Sequence, residues 1–161
     1  MHHRTDRAVS AGVLTISDTR TKETDKGGQA VIDHLKNNNI IIKHYDIVID
    51  DVTIIQQAVT QMFPDVDAVI TTGGTGVAQR DVTIEAVRPL VDKELDGFGE
   101  LFRYLSFTED VGTKSMLSRA FCGTIDNKVL FCIPGSVGAV NLAMKKLITQ
   151  EIFHIVNELN K

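Results

Sequence analysis

The chain has 161 residues, 43% of them hydrophobic and 24% charged, with a formal net charge of −4 and a pI of about 5.7. Such a length suits a single domain over residues 1–161, since a chain of ~150 residues buries roughly 70% of its unfolded surface. The acidic balance offers no basic field for nucleic acid or an anionic membrane, so any phosphate site has to be local. No stretch reaches the ~20 apolar residues of a membrane span, and the polar start Met1 to Arg7 lacks a signal-peptide core. A cytoplasmic location is expected, with residues 1–8 as a flexible tail.

Val9 to Ile16 is an apolar run suited to a strand covered on both faces, as in a parallel sheet. It ends at Ser17-Asp18-Thr19-Arg20, and a polar turn there is the first candidate for a site wall, because ligands gather beyond the carboxyl ends of strands in open α/β sheets. Gln29 to Lys36 fits a short amphipathic helix stopped by three asparagines. Ile40 to Val48 reads as a second strand running into Asp50-Asp51, either of which suits the cap of a helix with Ile54, Ile55, Ala58, Val59 and Met62 on its apolar face.

The third strand, Asp67 to Thr72, opens directly into Gly73-Gly74-Thr75-Gly76, giving the β-α-β-α-β order of a doubly wound sheet. A helix follows from Thr83 to Leu90. Glycines flank Phe98 before a further helical stretch, in which Phe98, Leu101, Phe102, Tyr104, Leu105 and Phe107 crowd together as core or subunit interface. A helix is expected to include Met116 to Ala120. Gly123 to Ile125 and Val129 to Ile133 suit a strand pair, and Pro134-Gly135-Ser136 then leads into a long helix through Ile155. Cys122 and Cys132 lack a CxxC pair or a neighbouring histidine cluster, the pattern of buried free thiols.

Two glycine turns at strand ends define the chemistry. Glycine removes Cβ atoms where backbone N–H groups approach an anion, while Thr71, Thr72 and Thr75 offer hydroxyls beside the first turn. The second turn precedes a long helix whose first N–H groups are unpaired and carry the positive end of its dipole. Asp18, Asp51 and Asp81 fall near neighbouring strand ends, which suggests two phosphoryl groups and a divalent cation sharing one cleft. A purely structural alternative has the same aspartates as helix caps, with Asp81 serving the N–H of Thr83 or Ile84. Neither Gly-x-Gly-x-x-Gly nor a Gly-Lys-Ser/Thr loop is present, which disfavours dinucleotide oxidoreductases and P-loop NTPases.

The ordered segments Leu14 to Arg20, Thr71 to Gly76, Arg80 to Thr83, Gly97 to Glu100, Leu117 to Arg119 and Pro134 to Ser136 resemble the MoaB/Mog family of molybdenum-cofactor biosynthesis, in its bacterial MoaB branch. The resemblance implies an α/β fold with three layers, a mostly parallel β-sheet carrying helices on both faces. It also implies a homo-oligomer, either a trimer or a hexamer, and a molybdenum-insertion protein as partner. The implied reaction is adenylylation of molybdopterin by Mg²⁺-ATP with release of pyrophosphate; the alternative is a molybdopterin-binding or carrier protein without catalysis. Asp51 and Asp81 match the family's essential acids, as catalytic and metal-binding residues. Ser17, Asp18, Thr72, Gly73, Gly74, Thr75, Gly76, Ser118, Pro134, Gly135 and Ser136 fall in segments expected to contact the pterin or nucleotide.

Overall fold

A computed structural model describes residues 7–161, so residues 1–6 of the expected tail lie outside the described residues. Arg7 is held, since its guanidinium pairs with the buried carboxylate of Asp67. Six strands form one sheet in the order β2-β1-β3-β6-β5-β4. These are β1 (Ser10–Ile16), β2 (Ile41–Val48), β3 (Ala68–Thr72), β4 (Lys93–Glu94), β5 (Phe121–Ile125) and β6 (Lys128–Ile133). β2, β1, β3 and β6 run parallel, β5 runs antiparallel to β6, and β4 runs antiparallel to β5. Every residue of β1 and β3 is buried, which explains why these strands read as continuous apolar runs without alternation.

Helices cover both faces. On one lie α1 (Lys26–Asn37), α4 (Asp96–Glu109), α5 (Val137–Ala143) and α6 (Thr149–Leu159), around a core that includes Val13, Ile70, Phe102, Phe131 and Ile152. On the other lie α2 (Val52–Met62) and α3 (Thr83–Val87), around Leu14, Ile55, Val69, Ile84 and Leu130. β1 and β3 lie side by side at the sheet centre, so their carboxyl ends stand beside the end of β6, between the two helical layers.

Several boundaries differ from expectation for physical reasons. α1 starts at Lys26 rather than at Gln29, because Asp25 caps it by accepting the Gly28 N–H at 3.0 Å. Met116 to Ala120 is not helical: a 3₁₀ turn spans Gly112–Leu117 and the chain then extends, pulled out by hydrogen bonds of Arg119 to the first glycine turn. β4 is two residues long, too short to show a period. The final helical stretch is unbroken in sequence but widens to a π turn at Met144–Ile148. The aromatic cluster of α4 divides: Phe102 is buried and Phe98 packs edge-on against Phe131 at 5.3 Å, whereas Leu101, Tyr104 and Phe107 are 54%, 63% and 53% exposed.

Candidate functional site

The carboxyl ends of β1, β2, β3 and β6 open into a cleft of about 300 Å³. Its floor is the turn after β3. Gly73 and Gly74 both take left-handed backbone angles, φ 93° and 73°, which only glycine adopts without strain. A β-carbon on Gly73 would overlap the Ile16 carbonyl, and one on Gly74 would overlap Thr83 Oγ1. Thr83 locks the turn from below, donating through Oγ1 to Gly73 O at 2.9 Å and through its N–H to Gly74 O at 3.1 Å. The Gly73 N–H donates to Ile133 O at 3.0 Å, so the first glycine turn is tied to the strand that feeds the second.

Ser17, Asp18, Thr72, Gly135 and Ser136 all line this cleft beside Gly73 and Gly74. Ser17 Oγ accepts the N–H groups of Thr19 and Arg20, both at 3.2 Å, which curls the loop after β1 and turns Arg20 into the cleft wall. Ser136 is the cap of α5, its Oγ accepting the Ala139 N–H at 3.3 Å. Thr75, Gly76, Ser118 and Pro134 line a second cavity of about 330 Å³, and Gly74, Asp81, Gly135 and Ser136 form the rim that both cavities share. The Ser118 hydroxyl oxygen there is buried with no hydrogen-bond partner among the described residues.

The acidic residues separate into two roles. Asp51 does not face the cleft: it is the N-cap of α2 in extended conformation, and its Oδ1 accepts the Ile54 N–H at 3.0 Å. The carboxylate that does face it belongs to Asp50, with Asp18 and Asp81 nearby and Arg80 opposite. Burial pushes the Asp50 carboxyl above its usual value, and the charges of Asp18 and Asp81 push it the same way, against an opposing pull from Arg80. Asp81 is not a helix cap, because Val82 occupies that position on α3; instead its Oδ2 accepts the Ala78 N–H at 3.0 Å, folding the segment back on itself. Among the described residues no three acidic, histidine or cysteine side chains form a complete metal cage. The donor set nonetheless suits Mg²⁺ brought by phosphates, since that ion keeps waters and needs only one or two protein carboxylates.

Arg119 is a site residue that the sequence reading passed over. Its N–H donates to Thr75 O at 2.9 Å, its Nε to Gly76 O at 3.0 Å and its Nη2 to Asp81 O at 2.9 Å, while its guanidinium forks onto Glu85 at 2.5 and 3.2 Å. One residue, through its backbone and side chain, thus ties the segment from the glycine turn to Asp81. The threonines differ from expectation too: Thr71 is fully buried in register with Cys132, Thr75 is buried, and the Thr72 hydroxyl donates to Thr15 at 3.1 Å. All three threonine side chains are thus buried.

A mostly parallel sheet with two glycine turns at adjacent strand ends defines an open α/β protein with its candidate site at the carboxyl ends of the strands. The sequence profile of a family described as a probable molybdopterin binding domain matches residues 12–154, and the chain belongs to that family. It is 57% identical over 159 residues to molybdenum cofactor biosynthesis protein B of Staphylococcus aureus (strain MRSA252), covering 97% of this chain and 95% of that one. A crystal structure of a molybdenum cofactor biosynthesis protein B superposes with a TM-score of 0.93 at 54% identity, covering 98% and 99% of the two chains. The tungsten cofactor synthesizing protein MoaB from Pyrococcus furiosus superposes with a TM-score of 0.88 at 37% identity, covering 98% and 100%. The protein therefore has a role in molybdenum-cofactor biosynthesis.

Proposed function

We propose that the cleft adenylylates molybdopterin with Mg²⁺-ATP. A terminal phosphate oxygen of molybdopterin attacks the α-phosphorus of ATP, the bond from that phosphorus to the bridging oxygen breaks, and pyrophosphate leaves. The nucleophile is already an anion, so the reaction needs positioning and charge neutralisation more than a strong base. Bound Mg²⁺ supplies part of that neutralisation. Asp50 and Asp81, with Asp18, would hold the ion and its phosphates; Arg80 and Arg20 add positive charge from the cleft wall, and the glycines of the two turns let the backbone come close to a phosphate.

The observation that carries this reading is the cleft itself, in which Asp50 stands with Asp18 and Asp81 beside the two glycine turns, and burial and the two neighbouring carboxylates raise the Asp50 carboxyl. Such a cluster is poorly balanced alone and well suited to a cation arriving with phosphates. The two joined cavities leave room for two ligands to meet at Gly74 and Asp81. Incubating the purified protein with molybdopterin, ATP and Mg²⁺ and analysing the pterin by mass spectrometry tests it. An adduct heavier by one adenylyl group supports the enzyme; tight molybdopterin binding with no adduct supports the carrier alternative.

We further propose that the chain assembles as a trimer or hexamer and passes its product to a molybdenum-insertion protein. The exposed Leu101, Tyr104 and Phe107 on α4, continued by Met116 and Leu117 at 80% and 53% exposure, give the apolar surface such a subunit contact uses. Light scattering at micromolar concentration tests the assembly, and a monomer mass contradicts it.

A further inference from the structure

Beneath the cleft, a chain of hydroxyls runs from the first glycine turn to a buried carboxylate. Thr15 and Thr72 pair across β1 and β3, and both line the cleft. Thr72 Oγ1 donates to Thr15 Oγ1 at 3.1 Å, and Thr15 Oγ1 donates to Asp25 Oδ2 at 2.6 Å. The same oxygen takes the Tyr45 phenol at 2.6 Å, while Oδ1 takes the Gly28 N–H at 3.0 Å. Asp25 is 2% exposed. Capping α1 uses only one of its oxygens, so a cap alone does not account for the other.

The direction of this chain follows from what each group can do. A carboxylate only accepts, so Thr15 spends its one proton on Asp25 and receives the proton of Thr72 in turn. The Thr72 proton points away from the cleft, and the lone pairs of its oxygen remain for a ligand. The backbone is shaped around the arrangement. A β-carbon on Gly28 would overlap Asp25 Oδ2 and crowd Thr15 Oγ1, and one on Gly27 would overlap the Gly135 carbonyl. Two glycines thus stand in the first turn of a helix, where alanine would favour the helix more.

We propose that Asp25 is a positioning residue which, through Thr15, fixes Thr72 as a hydrogen-bond acceptor in the cleft floor, where it takes a hydroxyl or amino hydrogen of the bound nucleoside and disfavours a bare phosphoryl oxygen. This rests on the reading of the cleft as a nucleotide site. Asp25→Asn reverses the chain while keeping the cap. Turning the amide nitrogen toward Gly28 would oppose two donors, so it turns toward the hydroxyls, which rotate to accept. Thr15 then donates to Thr72, and the Thr72 proton is released into the cleft.

The test compares Mg²⁺-ATP with Mg²⁺-tripolyphosphate, which carries the same phosphates without a nucleoside, by titration calorimetry. The preference of the parent protein for ATP should fall roughly tenfold in Asp25→Asn, the scale of one buried acceptor replaced by a donor. Thr15→Val, which breaks the relay without touching the cap, should lower the preference similarly, and adding Asp25→Asn to it should change nothing more. Reversal itself is read from Tyr45. Burial, then the hydrogen bond and charge of Asp25, push its phenol well above the usual tyrosine range, and in a Tyr104→Phe background Asp25→Asn should lower it while burial keeps it above that range. An unchanged preference for ATP alongside a lowered Tyr45 titration overturns the inference alone. Failure of the parent protein to bind either probe overturns the nucleotide reading and this inference together.

Discussion

The backbone N–H of Asp50 donates to the carboxylate of Asp18 at 3.0 Å, joining the end of β2 to the loop after β1. The contact holds two acidic side chains on one wall of the cleft, where burial first and then Asp18 and Asp81 raise the Asp50 carboxyl. The folded protein therefore keeps a proton on Asp50 to higher pH than the unfolded chain does. Stability falls as pH rises from the ordinary carboxylate value of about 4 through the raised folded value, and the loss is complete above it. Asp50→Asn should abolish this dependence. Without metal, its melting temperature relative to the parent should climb between pH 4 and 7, and added Mg²⁺-ATP should narrow the gap. A difference that stays constant with pH contradicts this assignment.

Asp51 serves the helix instead. Asp51→Ala should cost about 1 kcal/mol of stability by removing the cap of α2, whereas Asp51→Asn should be nearly neutral in chemical denaturation. Equal losses from both changes would show that its charge, not its hydrogen bond to Ile54, matters.

These neighbours show where sequence reading reaches its limit. The β-α-β-α-β order, the two glycine turns and the acidic strand ends were legible, because burial on both faces and left-handed turns leave marks in composition. Which of two adjacent aspartates faces the cleft was not. That depends on where α2 begins, and a one-residue difference in the cap reverses the assignment. Arg119 stayed hidden for a different reason: most of its partners are backbone carbonyls, which carry no residue identity.

Arg119 makes the next prediction. Lysine keeps the charge but cannot reach Gly76 O, Asp81 O and Glu85 at once, because it lacks the planar fork. Arg119→Lys should lower adenylylation by roughly tenfold through misplacement of Asp81, with a smaller change in molybdopterin affinity. Parent-like turnover would mean that the segment holds its shape without the fork.

The glycines of the two turns should respond differently. Gly74→Ala meets both a left-handed backbone and Thr83 Oγ1, so a loss of at least ~2 kcal/mol is expected in denaturant unfolding. At Gly135 a β-carbon would sit 3.5 Å from Gly73 Cα, an ordinary contact, so Gly135→Ala should fold normally. Backbone strain thus demands glycine in the first turn only, and any defect of Gly135→Ala should appear in ligand affinity alone.

Cys122 and Cys132 are free and buried. Burial pushes both thiols up, that of Cys132 to about 12, so neither forms appreciable thiolate near neutral pH. Iodoacetamide at pH 8 should leave the folded protein unlabelled and modify both residues in denaturant. Rapid labelling of the native protein would contradict their burial.

The central claim is that Asp50, in a cleft shared with Asp81 and two glycine turns, supports transfer of an adenylyl group to molybdopterin. Molybdopterin-dependent pyrophosphate release from Mg²⁺-ATP, measured side by side for the parent, Asp50→Asn and Asp51→Asn, tests it most directly. The parent and Asp51→Asn should release pyrophosphate at similar rates, and Asp50→Asn should be slower by roughly 10²- to 10³-fold, the scale of one preorganised electrostatic contact. No molybdopterin-dependent release by the parent, or equal rates for parent and Asp50→Asn, would contradict the claim.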